Sequence, residues 1–276
     1  MSSEAPTKHP IEQWQSTCIH AARIGGEILK EFRGKVVPNE KAPKDLVTQA
    51  DLASQRAIEL YLTQRYPTHL ILGEESDISV HQSAAGNSGS GRVRWIIDPL
   101  DGTTNFVHQL PNYCVSVAVE KDGVIWAGAI YDPILDECFH AGNGLGAWLN
   151  DTQLTTSKCT NLSEALLAVG FSAGIQPGSI EVTRFENVLY QARAMRRLGS
   201  AALNLAYVGA GRLDGFFAAS VKAWDVAAGV LIVREAGGVV TGVDGQPFDL
   251  DKAHVAVASS DALHRQLGES LFRTSV

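Results

Sequence analysis

A chain of 276 residues, 45% hydrophobic and 19% charged, has the composition of an ordinary globular protein, long enough for one large domain or two fused halves. No apolar run approaches the roughly 20 residues that span a bilayer, so no membrane anchor is expected. A formal net charge of −7 disfavours nonspecific binding to nucleic-acid phosphates and suits a protein that holds cations. The four cysteines, Cys18, Cys114, Cys138 and Cys159, lack any C-x-x-C spacing and are expected to be structural thiols rather than a zinc or redox motif.

Residues Met1 to Pro10 are polar and lack the apolar stretch of a secretory signal, which predicts a disordered leader (1–10) and, by default, a cytoplasmic location. From Ile11 to Phe32, apolar residues including Trp14, Cys18, Ala21, Ala22, Ile28 and Leu29 recur at three- and four-residue steps and predict a long amphipathic helix, weakened in its middle by Gly25 and Gly26. A lysine- and proline-bearing stretch, Lys35 to Lys44, precedes a second helix over Asp51 to Arg65, expected to pair with the first. Strands over His69 to Leu72 and Arg92 to Ile97 end at Gly73-Glu74-Glu75-Ser76 and at Asp98, so both terminate in carboxylates. Between them, His81 to Gly91 is rich in Ser, Gly and Ala and is expected to be an exposed loop. Cys114 to Glu120 and Val124 to Tyr131 predict a hairpin turning at Asp122-Gly123, with a third strand near Glu137 to Ala141.

The second half alternates strand-like and helix-like pieces: 165–171, 180–193, 195–198, 200–208, 214–219, 225–236, 238–243 and 254–258. Such alternation predicts layered α and β structure. The composition breaks near Asn150 to Glu164, which divides the chain into an N-terminal α+β half (11–155) and a C-terminal α/β half (156–276).

The most informative stretch is Trp95-Ile96-Ile97-Asp98-Pro99-Leu100-Asp101-Gly102-Thr103-Thr104-Asn105-Phe106. An apolar strand delivers Asp98, Pro99 bends the chain, and Asp101 returns three residues later beside a glycine that lets backbone N–H groups approach a ligand. Two carboxylates directed at one point suit a hard cation such as Mg²⁺, which takes oxygen ligands and shares them with water and phosphate. Taken alone, Asp98 and Asp101 could equally cap a turn, and Asp225 and Asp51 could be helix caps.

Three further segments place carboxylates at the edges of apolar elements: Gly73-Glu74-Glu75-Ser76, Asp45-Leu46-Val47-Thr48-Gln49-Ala50-Asp51, and Ala223-Trp224-Asp225-Val226-Ala227-Ala228-Gly229. Together with the Asp98–Asp101 stretch, and in this order through Glu235-Ala236-Gly237-Gly238, they resemble the inositol monophosphatase family. The resemblance implies an α+β fold, a layered αβαβα sandwich of the inositol monophosphatase and fructose-1,6-bisphosphatase type, with the active site at the junction of the halves. It implies a Mg²⁺-dependent hydrolysis of a small phosphate monoester, inhibited by lithium, in a homodimer that binds neither nucleic acid nor membrane. Two Mg²⁺ ions are implied, with a third, weaker one near Glu74. The implied metal ligands are Glu74, Asp98, the carbonyl of Leu100, Asp101 and Asp225, with Asp98 bridging. Glu74, Thr103 and Asp51 form the implied catalytic set, Thr103 and Asp51 orienting and activating the attacking water. Substrate contacts fall on Asp101, Gly102, Thr103, Ala201 and Asp225. Glu75 is expected near the metal without ligating it, Lys41 resembles part of a mobile family loop or is a solvated lysine, and His108 is expected at the surface.

Substrate identity is less constrained. Family members acting on inositol monophosphate carry a glutamate in the strand before the Trp-Asp motif, and the matching position here is Ala218. A methyl group cannot accept hydrogen bonds from ring hydroxyls, and Ser220 or Lys222 are the neighbours that could fill the space. The candidates are an inositol monophosphate, another sugar or polyol phosphate including fructose 1,6-bisphosphate, histidinol phosphate, and a 3′-phosphonucleotide. A regulatory partner-binding role is the alternative of a different class, because some relatives serve such roles. A phosphotransferase would need an ATP loop, and neither a G-x-x-x-x-G-K-[ST] nor a kinase-type glycine loop occurs.

Overall fold

A computed structural model describes residues 10–42, 45–76, 92–172, 174–252 and 254–272. The expected leader up to residue 9 and the expected loop over 81–91 lie outside those residues. Helix α1 (Pro10–Phe32) is continuous through Gly25 and Gly26. The two glycines serve close approach rather than weakness: a Cβ at Gly25 would lie 2.7 Å from Ser54 Oγ, and one at Gly26 would lie 2.4 Å from the Tyr131 ring. That approach seats α1 against α2 (Gln49–Arg65) and against the sheet beneath. Strands β1 (Asn39–Ala42), inside the lysine- and proline-bearing stretch, and β2 (Asp45–Val47), just after it, form an antiparallel pair.

Strands β3 (Leu70–Gly73), β4 (Val93–Asp101), β5 (Cys114–Lys121), β6 (Val124–Asp132), β7 (Glu137–Gly142), β8 (Gly146–Leu149) and β9 (Thr152–Gln153) lie in that order in one sheet. Only β3 and β4 in this sheet are parallel. The β5–β6 turn has positive φ at both Asp122 (56°) and Gly123 (78°), the backbone a two-residue hairpin requires. β4 does not stop at Asp98 as expected. It continues to Asp101, and the pairing with β5 shifts register between Asp98 and Asp101, so the proline is absorbed by an irregularity rather than ending the strand.

The short helix α3 (Thr103–Val107) follows β4. The second sheet comprises β10 (Leu166–Gly170), β11 (Ala194–Arg196), β12 (Gly215–Ala218), β13 (Val239–Thr241) and β14 (Val255–Ala258) in the order β11-β10-β12-β14-β13. Helices α5 (Ala201–Gly209) and α6 (Ala223–Glu235) fill the space between the two sheets, where Ile96, Ile130, Leu205, Val226 and Val257 share one core. Helices α4 (Ile180–Leu189) and α7 (Asp261–Leu271) cover the outer face of the second sheet, and α1 and α2 cover the outer face of the first. The result is the αβαβα layering expected from the motifs. Cys18, Cys114 and Cys138 are buried free thiols and Cys159 is half-exposed and free.

Candidate active site

Strand pairing brings the acidic segments together. β3 runs parallel to β4 with Gly73 opposite Ile97, and the Glu74 N–H donates to the Ile97 carbonyl at 3.1 Å, so Glu74 emerges beside Asp98. On the other side of β4, Asp98 lies opposite Ser116, whose hydroxyl donates to the Trp224 carbonyl at 3.3 Å. That bond fixes the first turn of α6, and with it Asp225, against the same point. Asp225 is the third residue of the helix rather than its cap; its Oδ2 accepts the N–H of Lys222, the N-cap residue, at 2.7 Å.

Asp98 is 1% exposed. Burial, then the neighbouring carboxyls of Glu74, Asp101 and Asp225, push it well above the usual carboxylate range. Burial followed by repulsion from Asp101 and Glu74 does the same to Asp225. Asp101 and Glu74 are raised chiefly by burial, Asp101 against the pull of the Ser200 hydroxyl and the Ala202 and Ala201 N–H groups, and Glu74 against the charge of Lys41. Lys41, on β1, donates to Glu74 Oε1 at 3.0 Å and also contacts Glu75, whose carboxyl burial pushes up to about 7.

Four neighbouring acidic side chains, of which Asp98 and Asp225 are raised further by the carboxyls around them, form a donor set of hard oxygens, and such a set fits a divalent cation of the Mg²⁺ type. Among the described residues, no three His, Cys, Asp or Glu side chains stand, as arranged here, close enough together to hold a metal ion. Each of the four is instead steadied by protein hydrogen bonds: Asp101 Oδ2 by Ser200 Oγ and the Ala202 N–H, both at 2.6 Å, Asp225 by Lys222, Glu74 by Lys41, and Asp98 Oδ1 by the Leu100 N–H at 3.0 Å. A carboxylate has about four lone-pair sites, so these bonds orient the groups and leave acceptor capacity for a cation. The Leu100 carbonyl accepts from Thr103 Oγ1 at 3.1 Å.

Asp51 is fully buried and does two things at once. Its Oδ2 closes a capping box with Thr48, accepting the N–H at 2.8 Å and the hydroxyl at 2.7 Å, and its Oδ1 accepts from Thr103 Oγ1 at 3.2 Å. Burial raises its pKa, opposed by the Thr48 bonds, which makes it a better proton acceptor than a solvated aspartate. Gly102, with φ of 97°, turns the chain from β4 into α3, and a Cβ there would lie 2.9 Å from the Asn112 carbonyl. Asn105 Nδ2 donates to the Leu198 carbonyl at 2.8 Å and to the Asn112 carbonyl at 2.7 Å, tying the loop before α5 to the motif. His108 is exposed, as expected.

Asp101, Gly102, Thr103, Ala201 and Asp225 line one cavity of about 410 Å³. Its far wall includes Phe171, Arg197 and Ser220. Lys222 is exposed and is not among the lining residues; the cation at the cavity is Arg197, which lacks any local signal in the sequence. Ser200 was also not singled out, although Gly-Ser before an apolar helical run is a cap signal. It caps α5 by accepting the Leu203 N–H at 3.1 Å while holding Asp101. Ser200→Ala is expected to cost about 1–2 kcal/mol of stability in denaturant melts and about tenfold in kcat/KM, whereas Ser200→Thr retains both. An alanine variant with unchanged turnover would show that Asp101 needs no such anchor.

The family model described as the inositol monophosphatase family matches residues 11–275. Among curated proteins, the chain is 40% identical over 247 residues to Nus factor SuhB of Pasteurella multocida, covering 87% of this chain and 89% of that protein. It is 39% identical over 253 residues to inositol-1-monophosphatase of Mesorhizobium japonicum, covering 90% and 92%. Among solved structures, extragenic suppressor protein suhB of Bartonella henselae superposes with a TM-score of 0.85 at 36% identity, covering 94% of this chain and 98% of that one. The chain belongs to the inositol monophosphatase family and is a phosphoric monoester hydrolase.

Proposed function

We propose that the chain hydrolyses a small phosphate monoester with the aid of Mg²⁺, two or three ions per site, and that it works as a lithium-sensitive homodimer in the cytoplasm. The observation that carries the proposal is the meeting of Glu74, Asp98, Asp101 and Asp225 beside the Thr103–Asp51 hydrogen bond. Glu74, Asp98, Asp101, Asp225 and the Leu100 carbonyl are the groups that hold the metal. When bound there, Mg²⁺ neutralises the phosphate and lowers the pKa of the attacking water.

The protein's own residues supply orientation and a proton path. Thr103 Oγ1 has its proton on Asp51 or the Leu100 carbonyl, so its lone pairs accept a proton from the water, and Asp51 Oδ1 takes the one Thr103 releases. The N–H groups of Gly102 and Thr103 hold phosphate oxygens, helped by the positive end of α5, which opens on the same cavity at Ala201. Among the described residues, no helix is long and apolar enough to cross a membrane.

The test is phosphate release across inositol, sugar, histidinol and nucleotide phosphates, with Mg²⁺ and with chelator. One ester at least tenfold above the rest in kcat/KM, about 1.4 kcal/mol of discrimination, names the substrate. Absence of metal-dependent release from every ester favours a second reading, a partner-binding role, which the name Nus factor carried by two relatives supports.

A further inference from the structure

The cavity wall beyond the phosphate end contains a hydroxyl whose proton is already committed. Ser220 lines the same cavity as Asp101, Thr103 and Asp225, and its Oγ–H donates to Glu181 Oε1 at 2.6 Å. Glu181 stands in the first turn of α4, and its other oxygen, Oε2, accepts from Ser172 Oγ at 3.1 Å and from the Ser172 N–H at 3.4 Å. Both carboxylate oxygens are therefore held, one by the residues just after β10 and one by the residues just after β12. An ionised carboxylate only accepts, so Ser220 must be the donor in its bond.

A serine hydroxyl has one proton and two lone pairs. With the proton on Glu181, Ser220 Oγ can offer the cavity only lone pairs, and a charge-assisted bond of this length raises their basicity. Such an oxygen recognises an O–H donor. It discriminates against an anion or an ester oxygen, which would bring a second acceptor against it. Ala218, two residues upstream, is buried in β12 between Gly170 of β10 and Val255 of β14 and offers a methyl group. The neighbouring Arg197 contributes donors and not acceptors.

We infer that Ser220 is a substrate-binding residue that accepts a hydrogen bond from a substrate hydroxyl, and that Glu181 is the positioning residue that fixes it as an acceptor. The substrate class is then a phosphate monoester bearing a free hydroxyl within reach of the phosphate, a sugar or polyol phosphate rather than a simple alkyl ester. This inference rests on the phosphatase reading above and names the chemistry of its leaving group. It also shifts hydroxyl recognition from the last residue of β12 to the loop after it, with the carboxylate supplied by helix α4.

The experiment compares inositol 1-phosphate and glycerol 1-phosphate with cyclohexyl phosphate, an ester without free hydroxyls, in saturating Mg²⁺. The wild-type protein is expected to favour at least one hydroxylated ester. Ser220→Ala and Glu181→Ala are each expected to lower the ratio of kcat/KM for that ester to kcat/KM for cyclohexyl phosphate about tenfold, through KM rather than kcat. Glu181→Gln keeps an acceptor for the Ser220 proton and is expected to restore most of the ratio. Equal losses on all esters in Glu181→Ala, without rescue by glutamine, would mean that the pair is a structural tie and would overturn the inference, as would a ratio that does not move. A wild-type protein that hydrolyses cyclohexyl phosphate as well as either hydroxylated ester overturns it while leaving the phosphatase reading intact. No Mg²⁺-dependent hydrolysis of any of the three would remove that reading, and the inference with it.

Discussion

Asp98→Asn is expected to lower kcat/KM by roughly 10³-fold or more, about 4 kcal/mol of transition-state stabilisation, while leaving the metal-free fold as stable as the wild type or more so. Asp98 is fully buried, central to the acidic cluster, and in contact with the carboxyls of Glu74 and Asp225. In the absence of a cation these groups oppose one another, and an amide of the same shape removes one member of the repulsion. The Leu100 N–H still finds an oxygen acceptor in asparagine. With Mg²⁺ present the order reverses. The wild type gains about 2.7 kcal/mol at a hundred times Kd, which is about 5–10 °C in Tm for a chain of this size, and the variant loses most of that gain. Melting curves in chelator and in Mg²⁺, read beside turnover, separate the two contributions. A variant that melts well below wild type in chelator would make Asp98 a structural residue, and one that keeps normal turnover would remove it from the site altogether.

The expected groups were legible where chemistry and local pattern coincide. Glu74 and Asp98 sit at or near the ends of apolar strands, and parallel pairing of those strands then leaves them adjacent. Asp51 and Asp225 each had two readings, cap or site residue, and the structure shows why neither reading excluded the other. Both are third residues of their helices, with one oxygen on the cap and the rest of the carboxyl turned to the cluster or to Thr103. What the sequence did not reveal depends on tertiary approach. The contact of Glu181 with Ser220 joins α4 to the loop after β12, and Ser200 reaches Asp101 across 99 residues. Arg197 lines the cavity from the residue just after β11, an edge strand of the second sheet. The β1–β2 pair went unread because its strands are three and four residues long and rich in charge. Helix α7 is legible in the sequence: Leu263, Leu267 and Leu271 recur at four-residue steps after the Ser260 cap and are buried.

Gly229→Val is expected to cost about 3 kcal/mol of stability and about 10²-fold in kcat/KM, although the residue touches no substrate. A Cβ at Gly229 would lie 2.4 Å from Leu205 Cβ and 2.6 Å from Leu205 Cδ1, so α5 and α6 pack closer than any side chain there permits. The helix has nowhere to retreat. On the sheet side, a Cβ at Gly128 of β6 would lie 2.8 Å from Ala228 Cα, so α6 is flush against the strand as well. The displacement must therefore be taken up along the two helices, and both of them carry the site. Gly229 is four residues from Asp225, on the same face of α6, and Leu205 is four residues from Ala201, where α5 begins beside Asp101. A shift of about 1 Å at that level misplaces Asp225, and the Ser200 anchor of Asp101, relative to Glu74 and Asp98, which stay with the first sheet. The Mg²⁺-dependent rise in Tm should shrink together with turnover, a coupling that simple loss of stability would not produce. Gly268→Ala on α7 is the control: no atom lies within 4 Å of its added Cβ, and it is expected to be neutral or to stabilise by up to about 1 kcal/mol. If Gly229→Val melts with the wild type and keeps its metal response, the spacing of α5 and α6 is not what sets the position of Asp225.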